Sequence, residues 1–364
     1  MKVLLLYGSF GDGHVQAANA LAQVFETRYK AEVIKLDCFR QTNPQFARAN
    51  EWLYETLTRY LPHVYGASYD FTRTLSPKHP LWSLLAHFSR RATWHALLEH
   101  QPDIVVQLFP DHALARLPRF LAVKPLIVTV LTDFEIHSRW FHANVDLYLL
   151  PTTWTLQRST RFMSPASTAS VAGIPIREQF SACRLNQVMD GAYIVLAAGG
   201  RGVFPDLSAV LKQLLQYFAT HRVVVLCGRN ERMSAVVKEI GEKLNVKERL
   251  CALGYTEQIA TWFQQATFVI TKAGGISAAE CLASGVPLIF YKPQPGQEQK
   301  NAVAIEKMGA ARVAKNLHHL AEVLDGMTNT VLAQMREASI AHGHPVAAQA
   351  GAREIVDMWK RMKR

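Results

Sequence analysis

Short runs of consecutive apolar residues recur along the chain, each followed by a longer stretch with helical spacing. KVLLLYG (2–8) precedes a helical pattern from about His14 to Tyr29; AEVIKLD (31–37), DIVVQLF (103–109), PLIVTVLTD (125–133) and DLYLLPT (146–152) follow. Runs that are apolar on both faces belong between layers of helices, so the pattern predicts a parallel α/β sheet. After GIPIREQF (173–180), a connection rich in turn signals, the pattern starts again. AYIVLAAGGRG (192–202), HRVVVLCGRN (221–230), ERLCALGY (248–255), ATFVITKAGG (266–275) and VPLIFYKP (286–293) read as its strands, and the tail from about 328 reads as helices. With 364 residues the chain is too long for one ordinary core. Two openings on strand, glycine turn and helix predict two Rossmann-like domains facing a central cleft, at 1–172 and 173–345, with a last helix over 346–364 packing back on the first. Ligands of such sheets bind at the carboxyl ends of the strands.

One segment interrupts the alternation. Residues 39–100 carry eleven aromatics, and seven Arg or Lys against four Asp or Glu. Within it PLWSLLAHFSRRATWHALL (80–98) has one helical apolar stripe with Arg90 and Arg91 beside it. An amphipathic helix on the sheet and a basic, aromatic wedge lying in a lipid interface both fit this pattern.

Composition narrows the function. The net charge is +11, which calls for an anionic partner. No RNP, helix-turn-helix or zinc-finger spacing is present, so nucleic acid is not that partner. No stretch has the length of a membrane span, and VLLLY is too short for the core of a signal peptide. The five cysteines (38, 183, 227, 251 and 281) form no CxxC pair, which fits reduced thiols in the cytoplasm.

Three constellations carry chemistry. In GSFGDGH (8–14) the glycines do not complete the G-x-G-x-x-G fingerprint, so Asp37 reads as a strand-end cap and not as the acid of a dinucleotide site. What remains is His14 at a helix start, where the dipole favours a neutral imidazole suited to general-base work. In LTDFEIHSRWFH (131–142) Asp133 leaves a buried strand and can orient a histidine; a metal at Asp133, His137 and His142 is the alternative, although the spacing is not HExxH. In TKAGGISAAECLASGVPLIFYKPQPGQEQKNA (271–302) a strand ends on Gly274 and Gly275 and enters a helix whose free amides suit a diphosphate. Glu280 is placed to accept ribose hydroxyls, and Gln297, Glu298 and Asn301 to meet sugar hydroxyls.

Together GDGH, LTDFEIHSRWFH, GIPIR, CGRN, GYTEQIA and the 271–302 block resemble the bacterial processive diacylglycerol glucosyltransferases and the plant monogalactosyldiacylglycerol synthases of glycosyltransferase family 28. The likeness runs from Met1 to about Ala314; the lipid-I N-acetylglucosaminyltransferase is a more distant relative. It implies an α/β GT-B fold, a UDP-sugar (UDP-glucose or UDP-galactose) as donor, diacylglycerol or a related lipid as acceptor, inversion at the anomeric carbon, no cofactor and no obligatory metal. His14 takes the place of the base and Asp133 that of the acid beside it. Gly199, Gly200 and Gly202 match a second glycine turn near the diphosphate, and Ile259 a position whose backbone meets uracil. Gly274, Gly275, Ile276 and Ser277 match the diphosphate turn, Glu280 the ribose acid, and Gln297 and Glu298 the donor-sugar contacts. Ala273 stands where the diacylglycerol enzymes tend to have proline. The 39–100 segment falls where these enzymes meet membrane, which implies peripheral attachment to an anionic surface on the cytoplasmic face. A UDP-sugar 2-epimerase and a lipid-I type transferase using UDP-GlcNAc are the other activities this fold would accommodate.

Overall fold

The computed structural model describes residues 1–8, 12–40, 44–119, 121–181, 193–200 and 202–364. Gly11 of the GSFGDGH motif, and Cys183, lie outside them. The chain divides into two compact units: residues 1–178 with 294–297 and 346–364, and residues 179–293 with 298–345.

The first unit is a six-stranded parallel sheet in the order β2-β1-β3-β4-β5-β6. Its strands are β1 (Lys2–Tyr7), β2 (Glu32–Asp37), β3 (Ile104–Gln107), β4 (Leu126–Val130), β5 (Leu147–Leu150) and β6 (Thr168–Val171). Val3 to Leu6, Ile104 to Val106 and Leu126 to Val128 are all buried, which explains why these strands read as unbroken apolar runs. Sequence order reverses between β1 and β3, so the carboxyl ends of those two strands form the switch point at which such sheets bind ligands. Helix α1 (Asp12–Tyr29) follows β1 directly. Between β2 and β3 stand α2 (Pro44–Tyr60), α3 (Pro62–Arg73), α4 (Pro80–Leu85) and α5 (His87–His100). The single stripe expected over 80–98 is two helices, because Ala86 closes α4 and α5 begins at His87. A helix α6 (Thr153–Ser159), started by a Thr152–Thr155 capping box, joins β5 to β6.

The second unit repeats the plan in the order β12-β11-β10-β7-β8-β9, with its switch point between β7 and β10. The strands are β7 (Tyr193–Ala197), β8 (Arg222–Leu226), β9 (Leu250–Leu253), β10 (Ala266–Thr271), β11 (Leu288–Tyr291) and β12 (Ala311–Ala314). Its helices are α7 (Leu207–Tyr217), α8 (Glu231–Lys243), α9 (Ile259–Gln264), α10 (Gly275–Ala283), α11 (Gln297–Lys307), α12 (Leu317–Asp325) and α13 (Asn329–His342). The last helix, α14 (Ala347–Met362), packs on α1 of the first unit.

The apolar pattern misses two strands, β6 (TASV) and β12 (ARVA). Both are outermost in their sheets and paired on one side only, so they carry small and polar residues. The short segment Gln294–Gln297 belongs to the first unit although the sequence around it continues the second. It lies against α3: a Cβ added to Gly296 would come within 2.9 Å of the Tyr65 ring, and Gly296 has a φ of +92°, a conformation that favours glycine.

Candidate active site

In the first unit the carboxyl ends of β1, β3 and β4 surround His14. The β-ladder aligns Leu6 with Gln107 and Gln107 with Thr129, so the segments that leave these strands start at one level. His14 is half-buried in the first turn of α1. Its Nδ1 lies 3.1 Å from the Thr132 hydroxyl, and the Phe109 ring meets its edge at 5.2 Å with the planes 79° apart. Trp140 lies 6.4 Å from it. Burial pushes the imidazole pKa down, while the Asp133 carboxylate and a backbone hydrogen bond at Leu108 pull it partly back. The ring is therefore neutral at pH 7 and able to accept a proton.

Asp133 is buried beside it, and its Oδ1 accepts a hydrogen bond from the Gln297 side chain. Gln297 belongs to the first unit with the 294–297 segment, so this bond lies within that unit. The Asp133 charge acts on His14, and the neighbouring Thr132, which the sequence reading passed over, puts its hydroxyl in hydrogen-bond range of the ring.

The other polar residues of LTDFEIHSRWFH hold the unit together. Glu135 pairs with Arg158 at 2.9 Å and Arg73 at 3.4 Å. His137 accepts the Arg139 amide at Nδ1, which places the proton of the neutral ring on Nε2, 3.2 Å from the Thr72 hydroxyl. The Gln107 amide nitrogen donates to the carbonyls of Phe109 and Asp111, so its oxygen is left to accept from His142 Nε2 at 3.2 Å. Burial depresses His112, His137 and His142 to about 3. The metal alternative at Asp133, His137 and His142 is not supported: among the described residues no three His, Cys, Asp or Glu converge as a metal site.

In the second unit two glycine turns flank the switch point. After β10, Gly274 stands at the N-cap of α10 with no side chain capping the helix and no atom within 4 Å of where its Cβ would be. The first-turn residues Gly275, Ile276 and Ser277 follow with their amides at the positive end of the helix dipole. Glu280 is buried on the next turn. Asn301, expected to face sugar hydroxyls, is instead fully buried on α11 and donates to the Ala273 carbonyl at 3.2 Å, holding the turn from behind. Glu298 sits half-buried in the first turn of α11.

After β7, Gly199 (φ +75°) has open space beside it, and Gly202 (φ +60°) packs on the Cys227 carbonyl. The Gly200 carbonyl accepts from the Arg229 amide, and the Asn230 side chain donates to the Gly202 carbonyl at 2.7 Å. Gly228 braces the turn from the other side, since a Cβ there would lie 2.6 Å from the Gly199 carbonyl oxygen. Gly228 and Asn230 lie in CGRN, a visible motif whose role depends on these contacts. Beside them is an open pocket of about 520 Å³ lined by residues that include Arg229, Lys238 and Tyr255, with the Arg229 guanidinium 4.9 Å above the Tyr255 ring. Ile259 begins α9 and does not line it. Cys38, Cys227, Cys251 and Cys281 are free thiols.

Comparison with known proteins follows the same division. The family described as monogalactosyldiacylglycerol (MGDG) synthase matches residues 14–176, and the glycosyltransferase family 28 C-terminal domain matches residues 194–352. A processive diacylglycerol beta-glucosyltransferase of Bacillus mycoides is 33% identical over 327 residues, covering 86% of this chain and 82% of its own. One of Bacillus cytotoxicus is 31% identical over 358 residues, covering 95% and 91%. The crystal structure of Acinetobacter baumannii MurG superposes with a TM-score of 0.62 at 16% identity over 98% of this chain and 99% of that one, a likeness of fold. The two parallel sheets are those of the GT-B glycosyltransferases. The chain belongs to glycosyltransferase family 28, with the monogalactosyldiacylglycerol synthases and the processive diacylglycerol glucosyltransferases.

Proposed function

We propose that this protein transfers glucose from UDP-glucose to the free hydroxyl of diacylglycerol, with inversion, making a β-glucosyl glycolipid. The observation that carries the reading is the likeness to diacylglycerol glucosyltransferases over most of the chain. The two switch points supply the chemistry that reaction needs. His14 removes the proton from the acceptor hydroxyl as that oxygen attacks the anomeric carbon and the bond to UDP breaks. Asp133 stabilises the imidazolium that forms, and Thr132 sets the ring's orientation. The amides of Gly275, Ile276 and Ser277 stabilise the charge that develops on departing UDP, without an obligatory metal. Glu280 receives the ribose hydroxyls, and Gln297 and Glu298 recognise the sugar.

The lipid acceptor requires a membrane surface. The helices between β2 and β3 expose Trp52 (66%), Phe71 (69%) and Leu84 (69%), together with Tyr60, Val64 and Phe88. Trp82 and Phe39, from the same aromatic segment, are core. Large apolar side chains left exposed on these helices fit insertion into a lipid interface, with Arg91 and Lys78 of the same segment also exposed. Among the described residues no helix is long and apolar enough to cross a membrane. In this reading attachment is peripheral, assisted by the +11 charge on anionic lipid, and on the cytoplasmic side, in keeping with the free thiols among the described residues.

The test is purified protein with mixed micelles of diacylglycerol and anionic lipid, given radiolabelled UDP-glucose and UDP-galactose in parallel. Label in the lipid from UDP-glucose is expected. Label from UDP-galactose alone would change the donor. No label from either, with UDP still bound, would overturn the diacylglycerol reading in favour of another acceptor or an epimerase.

A further inference from the structure

Asp206 stands at the N-cap of α7, where an aspartate ordinarily accepts a bond from the first-turn amides. It makes no such bond, and its φ is +50°, in the left-handed region that glycine enters freely and asparagine or aspartate only occasionally. Its side chain turns instead to the end of β11. There Oδ2 accepts a hydrogen bond from the Tyr291 hydroxyl at 2.6 Å and pairs with the Lys292 ammonium. Lys292 is also in the left-handed region, with φ +46°. The Tyr291 ring is fully buried and stacks on Phe204 at 5.7 Å with the planes 17° apart. Two strained backbones and a forgone helix cap are thus maintained around one contact, and strain of this kind collects at functional sites.

The topology gives the contact its place. In the sheet β10 lies between β7 and β11. A bond from the segment after β7 to the last residues of β11 therefore spans the carboxyl end of β10, the strand that runs into Gly274 and Gly275. The segment Gly199–Asp206 is then held at both ends: Asn230 and Gly228 secure its glycines, and Tyr291 and Lys292 secure Asp206.

We infer that Asp206, Tyr291 and Lys292 form a strap that fixes the Gly199–Gly202 turn in the position that receives the donor's diphosphate, with Asp206 as a positioning residue. The inference rests on the UDP-sugar reading above. Glycine and asparagine both accept the left-handed backbone at 206, so D206G removes the side chain without adding strain, and D206N retains an acceptor for Tyr291 while removing the charge.

UDP binding by calorimetry, steady-state kinetics with UDP-glucose and thermal unfolding are measured on wild type, D206G, D206N and Y291F. For D206G the expected result is a dissociation constant for UDP and a KM for UDP-glucose raised about tenfold, with kcat within about twofold and an unfolding midpoint close to wild type. D206N and Y291F should fall between. D206G binding UDP as tightly as wild type, or losing kcat with KM unchanged, overturns the strap. If D206G does not fold, Y291F decides, and an unchanged KM there has the same force. Wild type that binds no UDP removes the donor reading itself, an outcome distinct from a wild type and D206G that bind equally.

Discussion

The Thr132 hydroxyl lies 3.1 Å from Nδ1 of His14, while Asp133, the next residue, turns its carboxylate to the Gln297 amide. Two adjacent residues at the end of β4 therefore divide the work on the candidate base. One fixes the ring, and the other supplies negative charge beside it.

This division sets the size of three losses. H14A should lose about 10² to 10⁴ in kcat with UDP binding intact, as for removal of a general base. T132V keeps the shape and removes the hydroxyl, and should cost about tenfold in kcat through loss of orientation. D133N should fall between the two. Single-turnover rates with saturating donor measure all three, and a T132V enzyme with wild-type kcat would show that the hydroxyl has no orienting role.

The brace behind the glycine turn makes a stronger prediction for a smaller change. Gly228→Ala puts a methyl 2.6 Å from the Gly199 carbonyl oxygen, at a φ of +59°. Something must shift, and the turn is what lies there. UDP affinity should fall more than about tenfold, with at least 1 kcal/mol of stability lost from the left-handed alanine. Titration of UDP against both proteins, beside an unfolding curve, checks it.

Asn301→Ala removes the buried donor to the Ala273 carbonyl. The orphaned carbonyl and the cavity cost about 1–3 kcal/mol, and the diphosphate turn loses its rear support. Weakened UDP binding with an unchanged kcat is expected. A fall in kcat at unchanged UDP affinity would instead make Asn301 a sugar contact.

Stability should fall with acidity earlier than the carboxylates alone would dictate. Burial, with the Arg139 charge adding to it at His112 and His137 and the neighbouring His112 at His142, sets these three histidines near 3, below the unfolded value of 6.5. The unfolded chain therefore takes up protons first. The stability they contribute is present above about pH 6.5 and is lost as pH falls towards 3, at about 1.4 kcal/mol per pH unit for each histidine. Urea midpoints at pH 7.5 and 5 should differ by several kcal/mol in unfolding free energy, and a flat profile would mean that these rings are not desolvated. The His14 base follows the same sign, so the acid limb of kcat/KM is expected below pH 6.5.

At the lipid face, Trp52, Phe71 and Leu84 replaced together by serine should abolish co-sedimentation with anionic vesicles. UDP affinity should be unchanged, because these side chains are exposed on helices of the first unit. Retained vesicle binding would place the membrane contact elsewhere.

The sequence by itself determined the two parallel sheets, because their central strands are buried on both faces and must be apolar throughout. It also determined the glycine turn at 199–202, where the left-handed backbones of Gly199 and Gly202 leave little choice of residue, and the motifs that carry His14, Asp133 and the Gly274–Ser277 turn. It did not disclose β6 and β12, since an edge strand paired on one side needs no apolar pattern. Nor did it separate the tasks of polar residues that stand together. Glu135, His137 and His142 resembled chemistry, yet they spend their hydrogen bonds on Arg158, Thr72 and Gln107. Asn301 resembled a sugar contact and Thr132 and Asp206 carried no signal, yet each acts on a partner far away in the chain. Local pattern records burial and backbone conformation; the partner of a polar side chain is decided by which segments the fold brings within 3 Å, and only the tertiary structure holds that information.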